Sequence, residues 1–289
     1  MSTAIRLLHG NFGRVALLRM DAPLVVHAHH HCHILIKASG ADAAFNVNGA
    51  HVPLTETNAV LVNAWEPHAF IPTGGALKHT VVLALYVEPS WLGQHNPQVL
   101  GASYAKFFAQ AAVHLSHLQI KIIHKIIADL WRSDALEQVQ LEGLLAELCL
   151  SFLHESGGPF RTCSQHYSQG KSFMDPRIRL AISWLNENSS LPADMSALAS
   201  SVQLSRSRFF ELFRWCTGLS PALYINTLKM ERAFQALAAS DRSLEQISYD
   251  FGFSAQGHFS RFFRQHQGVL PSHYRRNLEI GPSRNVTNG

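Results

Sequence analysis

The chain has 289 residues, 47% of them apolar and 15% charged, with a formal net charge of +4 at pH 7. That length suits two domains with separate cores, and that composition excludes a disordered or fibrous protein. No apolar run reaches the roughly 18 residues that span a bilayer, and residues 1–11 lack the features of a secretory leader, so a cytoplasmic protein with no membrane partner is expected.

The first hundred residues read as short β-rich segments at 15–20, 24–37, 43–47, 59–63 and 80–87, divided by Gly, Pro and Asn clusters. Strands at this spacing predict a barrel or jelly roll. The second segment carries His27, His29, His30, His31 and His33, and His68 follows later. Alternate residues of a strand share a face, so His27, His29, His31 and His33 are predicted to converge. Imidazoles suit Zn, Fe or Cu, but no Asp or Glu follows His33 until Asp42. A pocket for a small polar effector, lined by His27, His29, His33, Trp65 and His68, is therefore preferred to a metal centre, and no cofactor is assigned. Ordinary structural histidines, and plain core burial of Trp65, are the alternatives.

Helical periodicity replaces the strand pattern after Pro97, over 111–131 and 136–154. Leu118, Ile122, Ile126 and Leu130 form one predicted stripe, and Leu141, Leu144, Leu148 and Phe152 another. The extra isoleucines of the first helix make it wider than one contact needs, so part of it is expected to be a dimer face. Residues 156–172 read as a linker, and residues 281–289 as a disordered tail. Cys32, Cys149, Cys163 and Cys216 are far apart, with no CxxC pair, which argues against a disulfide framework or zinc finger.

The last third carries a repeat. Phe209, Phe213, Arg214, Gly218, Pro221 and Tyr224 recur 50 positions later as Phe259, Phe263, Arg264, Gly268, Pro271 and Tyr274. Phe at i and i+4 places two rings on one helix face; Gly then ends the helix and Pro opens the next. Asp194 and Ser243 are placed to cap short helices over 195–202 and 244–251. Two short-helix, turn, long-helix units in tandem predict paired helix-turn-helix modules; two helical hairpins packed only for stability are the alternative. The stretch 221–239 has no internal Gly or Pro and predicts a connecting helix roughly 28 Å long. The groove-facing helices are predicted at 205–216 and 254–266. Arg206, Ser207, Phe210 and Glu211 lie outward on the first, and Gln256, Gly257, His258 and Arg261 on the second. Gln256 suits adenine, and Arg261 suits guanine or phosphate. Glu211 suits either cytosine or a neighbouring Arg. Arg264, Arg214, Arg275 and Arg276 are cast as phosphate clamps.

Ile247-Ser248-Tyr249-Asp250-Phe251-Gly252-Phe253-Ser254, His258-Phe259-Ser260-Arg261-Phe262-Phe263-Arg264 and Gly268-Val269-Leu270-Pro271-Ser272-His273-Tyr274-Arg275-Arg276 together resemble the signature of AraC/XylS transcription regulators. The resemblance covers roughly residues 173–278. It implies two helix-turn-helix units on a long helix, binding promoter DNA and usually activating transcription, with RNA polymerase as an expected partner. Gln203 departs from a Gly common in the first turn, where a left-handed residue would cost about 1 kcal/mol. Ser248 replaces the usual small apolar residue.

His27-Ala28-His29, Gly40, Asn48-Gly49 and Trp65-Glu66-Pro67-His68 resemble, more weakly, the cupin-like sensor of the same family, although Asn58-Ala59 stands where Gly-Asp is usual. Such sensors bind a small effector, and the adjacent helices dimerise the protein.

The expected whole is a two-domain α+β chain. Residues 1–100 form a cupin-like β-barrel, 101–155 dimerisation helices, and 173–280 an all-α DNA-binding domain. The expected function is an effector-controlled, homodimeric transcription regulator with no enzymatic activity. A metal-dependent cupin enzyme fused to DNA-binding helices, and a constitutive DNA-binding protein, are the competing readings.

Overall fold

The computed structural model describes residues 2–73, 79–96, 107–132, 138–155, 174–188, 194–239 and 241–280. The linker and tail expected at 156–172 and 281–289 lie outside the described residues.

The strand-rich part comprises β1 (Thr3–Gly10), β2 (Gly13–Met20), β3 (Cys32–Gly40), β4 (Ala43–Val47), β5 (Ala50–Leu54), β6 (Asn58–Val62), β7 (His68–Pro72) and β8 (Thr80–Val87). β9 (Ala112–His114) and β10 (Leu278–Ile280) complete two sheets, ordered β10-β1-β2-β8-β3-β6-β9 and β5-β4-β7. Among the described residues these sheets do not close into the single barrel expected. β8 is buried along its whole length because β2 and β3 flank it and both its faces are covered.

The segment read as one strand over 24–37 is extended only from Cys32. Before it, the chain leaves the sheet and makes one bridge, His27 to His68. The helical pattern read from 111 likewise begins as β9, and helix α2 (His117–Trp131) starts only at the Ser116 capping box with Gln119. Gln119, bonded to Ser151 Oγ at 3.0 Å, is therefore buried where Leu118 was expected, and Leu118 is 56% exposed. Helices α1 (Pro89–His95) and α3 (Gln138–Glu155) complete this half. Leu141, Leu148 and Phe152 are buried as predicted, and Leu144 packs at the core's edge.

The helical part runs α4 (Pro176–Glu187), α5 (Met195–Ser201), α6 (Arg206–Thr217), α7 (Pro221–Ala239), α8 (Leu244–Asp250), α9 (Gln256–Gln267) and α10 (Pro271–Arg276). Its punctuation follows the predicted caps. The Asp194 carboxylate accepts from Ser196 and Ala197 N–H, Ser205 Oγ from Arg208 N–H, and Ser243 Oγ from Gln246 N–H. Gly218 and Gly268 close α6 and α9 in left-handed geometry, at φ 75° and 81°. Phe209, Phe213, Phe259 and Phe263 are all buried. Phe262 is only half-buried, against Phe253 and His266.

The two parts share one core. Leu7, Leu18, Phe45 and Tyr86 from the strands cluster with Phe234, Phe259, Phe263 and Tyr274 from the helices. The chain's last described strand, β10, pairs in parallel with β1, and a Cβ on Gly268 would meet Met20 Cε at 2.8 Å.

Candidate nucleic-acid interface and interdomain cleft

The repeat places equivalent helices in α6 and α9, each preceded by a short helix and a turn. The turns differ in length: Val202–Ser205 links the first pair and Phe251–Ala255 the second. Gln203 takes φ 57° in the first turn and Gly252 φ 72° in the second. On the outward faces, Arg206, Ser207 and Glu211 of α6 and Gln256, Gly257, His258 and Arg261 of α9 are exposed, with Phe210 half-buried. Neither sheet covers them. Arg206 donates to Ser196 Oγ at 2.9 Å and lies 5.4 Å from the Phe210 ring centroid. Glu211 pairs with Arg208 at 3.3 Å, so its neighbouring-arginine role is realised here. His258 Nδ1 is 2.9 Å from Ser254 Oγ, holding the ring at the start of α9. Arg264 is half-buried on the last turn of α9, and Arg275 is partly occupied by donating to Arg242 O at 2.8 Å. Arg214 and Arg276 are exposed.

The second feature is a narrow cleft between the parts. Arg14, His27, His29 and Tyr86 line one wall; Thr227, Glu231, Phe234 and Gln267 are among those lining the other. Arg14 is its centre. The guanidinium lies 3.6 Å from the Tyr86 centroid and 3.9 Å from that of Phe234, so it is sandwiched between a strand and α7. It also donates to Tyr274 Oη at 3.4 Å, and that hydroxyl is 2.6 Å from His9 Nε2. Burial pushes Tyr274 up to about 12 and His9 down to about 3. Thr227 Oγ1 donates to Ala28 O at 3.0 Å, and Trp65 stacks on Tyr224 at 5.1 Å and 12°. Trp65 thus fastens the loop between β6 and β7 to α7 and is not among the residues lining the cleft.

Of the four histidines predicted to converge, His27, His29 and His33 do, joined by His68, and all four of these are buried. His29 Nε2 is 3.1 Å from His33 Nδ1, which is 3.4 Å from His68 Nε2. His29 Nδ1 and His68 Nδ1 donate to backbone carbonyls of His31 and Glu66 at 3.0 and 2.9 Å, leaving both Nε2 lone pairs facing His33. Burial holds His27, His29 and His33 well below the ordinary histidine range, and His68 at about 4, so the cluster is neutral. His31 departs from the predicted face; its ring lies against His30 instead, with centroids 3.8 Å apart and planes tilted by 35°. Among the described residues, two groups have metal-ligating atoms within 4.8 Å of one another: His29, His33 and His68, and His30, His31 and Glu231.

Arg14, Tyr86 and Glu231 were absent from the sequence-based pocket. Arg14 gave a faint signal, as one of two arginines, with Arg19, in a mostly apolar strand. Glu231 lies on the connecting helix, but nothing in a one-dimensional pattern links it to residue 14.

Residues 198–277 match the family model described as a helix-turn-helix domain. The raffinose operon transcriptional regulatory protein RafR of Pediococcus pentosaceus is 33% identical over 104 residues, 36% of this chain and 38% of RafR's own length. The HTH-type transcriptional activator RhaS of Shigella sonnei is 23% identical over 246 residues, 82% of each chain. ToxT from Vibrio cholerae O395 shares the fold at TM-score 0.54 and 12% identity, across 91% of this chain and 96% of ToxT. ToxT from strain SCE256, solved with an unsaturated fatty acid bound, matches at TM-score 0.53 and 12% identity, over 99% and 97% of the two chains. Residues 198–277 form a helix-turn-helix domain, and the chain as a whole shares its fold with ToxT, a helical part carried on a strand-rich one.

Proposed function

We propose that this chain is a sequence-specific, DNA-binding transcription activator controlled by a small molecule received at the strand-rich domain. One observation carries the DNA reading: α6 and α9 bury the same phenylalanine pair and leave equivalent outward faces open to solvent. Arg206, Ser207, Phe210 and Glu211 contact one groove window, and Gln256, Gly257, His258 and Arg261 the next, with Arg264 and Arg214 on phosphates. Among the described residues Arg261 has no ion pair or side-chain hydrogen bond, and it is exposed on α9, which suits base or phosphate contact. Arg261→Ala should weaken promoter binding and relax selectivity at one position by about 1–3 kcal/mol in gel-shift titrations. Unchanged affinity and selectivity would show that α9 does not read DNA.

The effector is received beside Arg14, His27 and His29, with His33 and His68 behind them. A ligand entering there must part Arg14 from Tyr86 and Phe234, and so alters the contact that α7 makes with the strands. ToxT, solved with an unsaturated fatty acid bound, supports a small-molecule effector for this fold. A second copy of the chain docks on the outer side of α2, where Trp131 is 55% exposed beside half-buried Ile120 and Ile127. RNA polymerase is the expected downstream partner, and a cytoplasmic location fits a DNA-binding regulator. No described helix is long and apolar enough to cross a membrane.

A further inference from the structure

We propose that His30, His31 and Glu231 form a divalent-cation site that staples the strand-rich domain to α7. His30 Nδ1 and His31 Nδ1 both face Glu231 Oε1, at 3.5 and 3.9 Å. Both distances exceed the hydrogen-bond range. They lie near the ~3.4 Å separating ligand atoms on a tetrahedral ion with bonds of about 2.0–2.1 Å.

The second observation is independent of that spacing. His31 Nδ1 and Glu231 Oε1 are buried without a hydrogen-bond partner among the described residues, a state that buried polar atoms ordinarily avoid.

The surroundings suit a cation. Glu88 Oε2 lies 3.8 Å from both His30 Nε2 and His31 Nε2, which adds a second negative charge beside the rings. Arg14 is close enough to act on Glu231, whose carboxylate offsets part of its charge. Two imidazoles and one carboxylate match Zn²⁺, with a fourth position left for water or a ligand group. The imidazoles come from the sensor segment before β3 and the carboxylate from α7. Metal occupancy would therefore resist the parting of domains that effector control requires. That regulatory consequence rests on the proposed effector reading, whereas the site itself does not.

The test uses the full chain, stripped of metal with a chelator and titrated with Zn²⁺ by calorimetry and with Co²⁺ by visible ligand-field absorption. One ion per chain should bind, and Glu231→Gln and His30→Asn should each weaken it at least tenfold. His68→Asn, which disables the neighbouring imidazole cluster, should leave it intact. Zn²⁺ should also slow amide exchange in residues 27–31 and in α7 of the wild type but not of Glu231→Gln. The proposal is overturned if no ion binds, if binding survives both Glu231→Gln and His30→Asn, or if His68→Asn abolishes it. None of these substitutions touches a reading helix, so a negative result leaves the DNA-binding proposal standing.

Discussion

Single residues set the two helix-turn-helix turns apart. Gln203 occupies left-handed space that Gly252 fills in the second unit, and a residue with a Cβ is strained there. Gln203→Gly should relieve about 1–2 kcal/mol of that strain. It should return about 0.5–1 kcal/mol through the more flexible unfolded chain. A net gain of about 0.5–1 kcal/mol is expected in urea unfolding. No gain would mean that Gln203 has a compensating contact. This position was legible in the sequence because turn geometry is local. Arg14 was not legible as a cleft residue, because its burial depends on rings 72 and 220 positions away, Tyr86 and Phe234.

At the scale of elements, α7 is the connector between reading helices, and its limits were readable from Pro221 onward because Pro starts helices and nothing interrupts the run to Ala239. Gln235 is exposed on this helix, so Gln235→Pro removes no core packing yet breaks the backbone ladder at a cost of about 3 kcal/mol or more. Binding to a full two-window site should fall much further than binding to either window alone. An equal loss on all three duplexes would show that the connector does not set their spacing. The α2 prediction was harder to make: a short strand and an apolar helix turn look alike in sequence, and the Ser116–Gln119 box decided the boundary. With Trp131 on its outer side, Trp131→Glu should shift sedimentation from dimer to monomer without lowering helix content. A protein already monomeric before substitution would remove α2 as a dimer face.

For the whole molecule, the repeat announced the helical domain because its helices pack on near neighbours in sequence. The shared core did not announce itself. It joins residue 7 to residue 274 and adds β10 to β1, and long-range pairing leaves no periodic trace. The histidine convergence was only partly foreseen, since the segment carrying it curves out of the sheet before Cys32. The resulting arrangement holds one wall of the cleft on the domain that carries the reading helices, so a ligand's effect on DNA binding needs no distant relay.

Hydroxyl-radical footprinting of the full chain on its promoter tests the central claim most directly. Two protected windows should appear about one helical turn, ~10 base pairs, apart for each bound copy. Arg206→Ala should weaken one window and Arg261→Ala the other. A single window per copy, or two windows that both variants weaken alike, would contradict a chain that grips one duplex with α6 and α9.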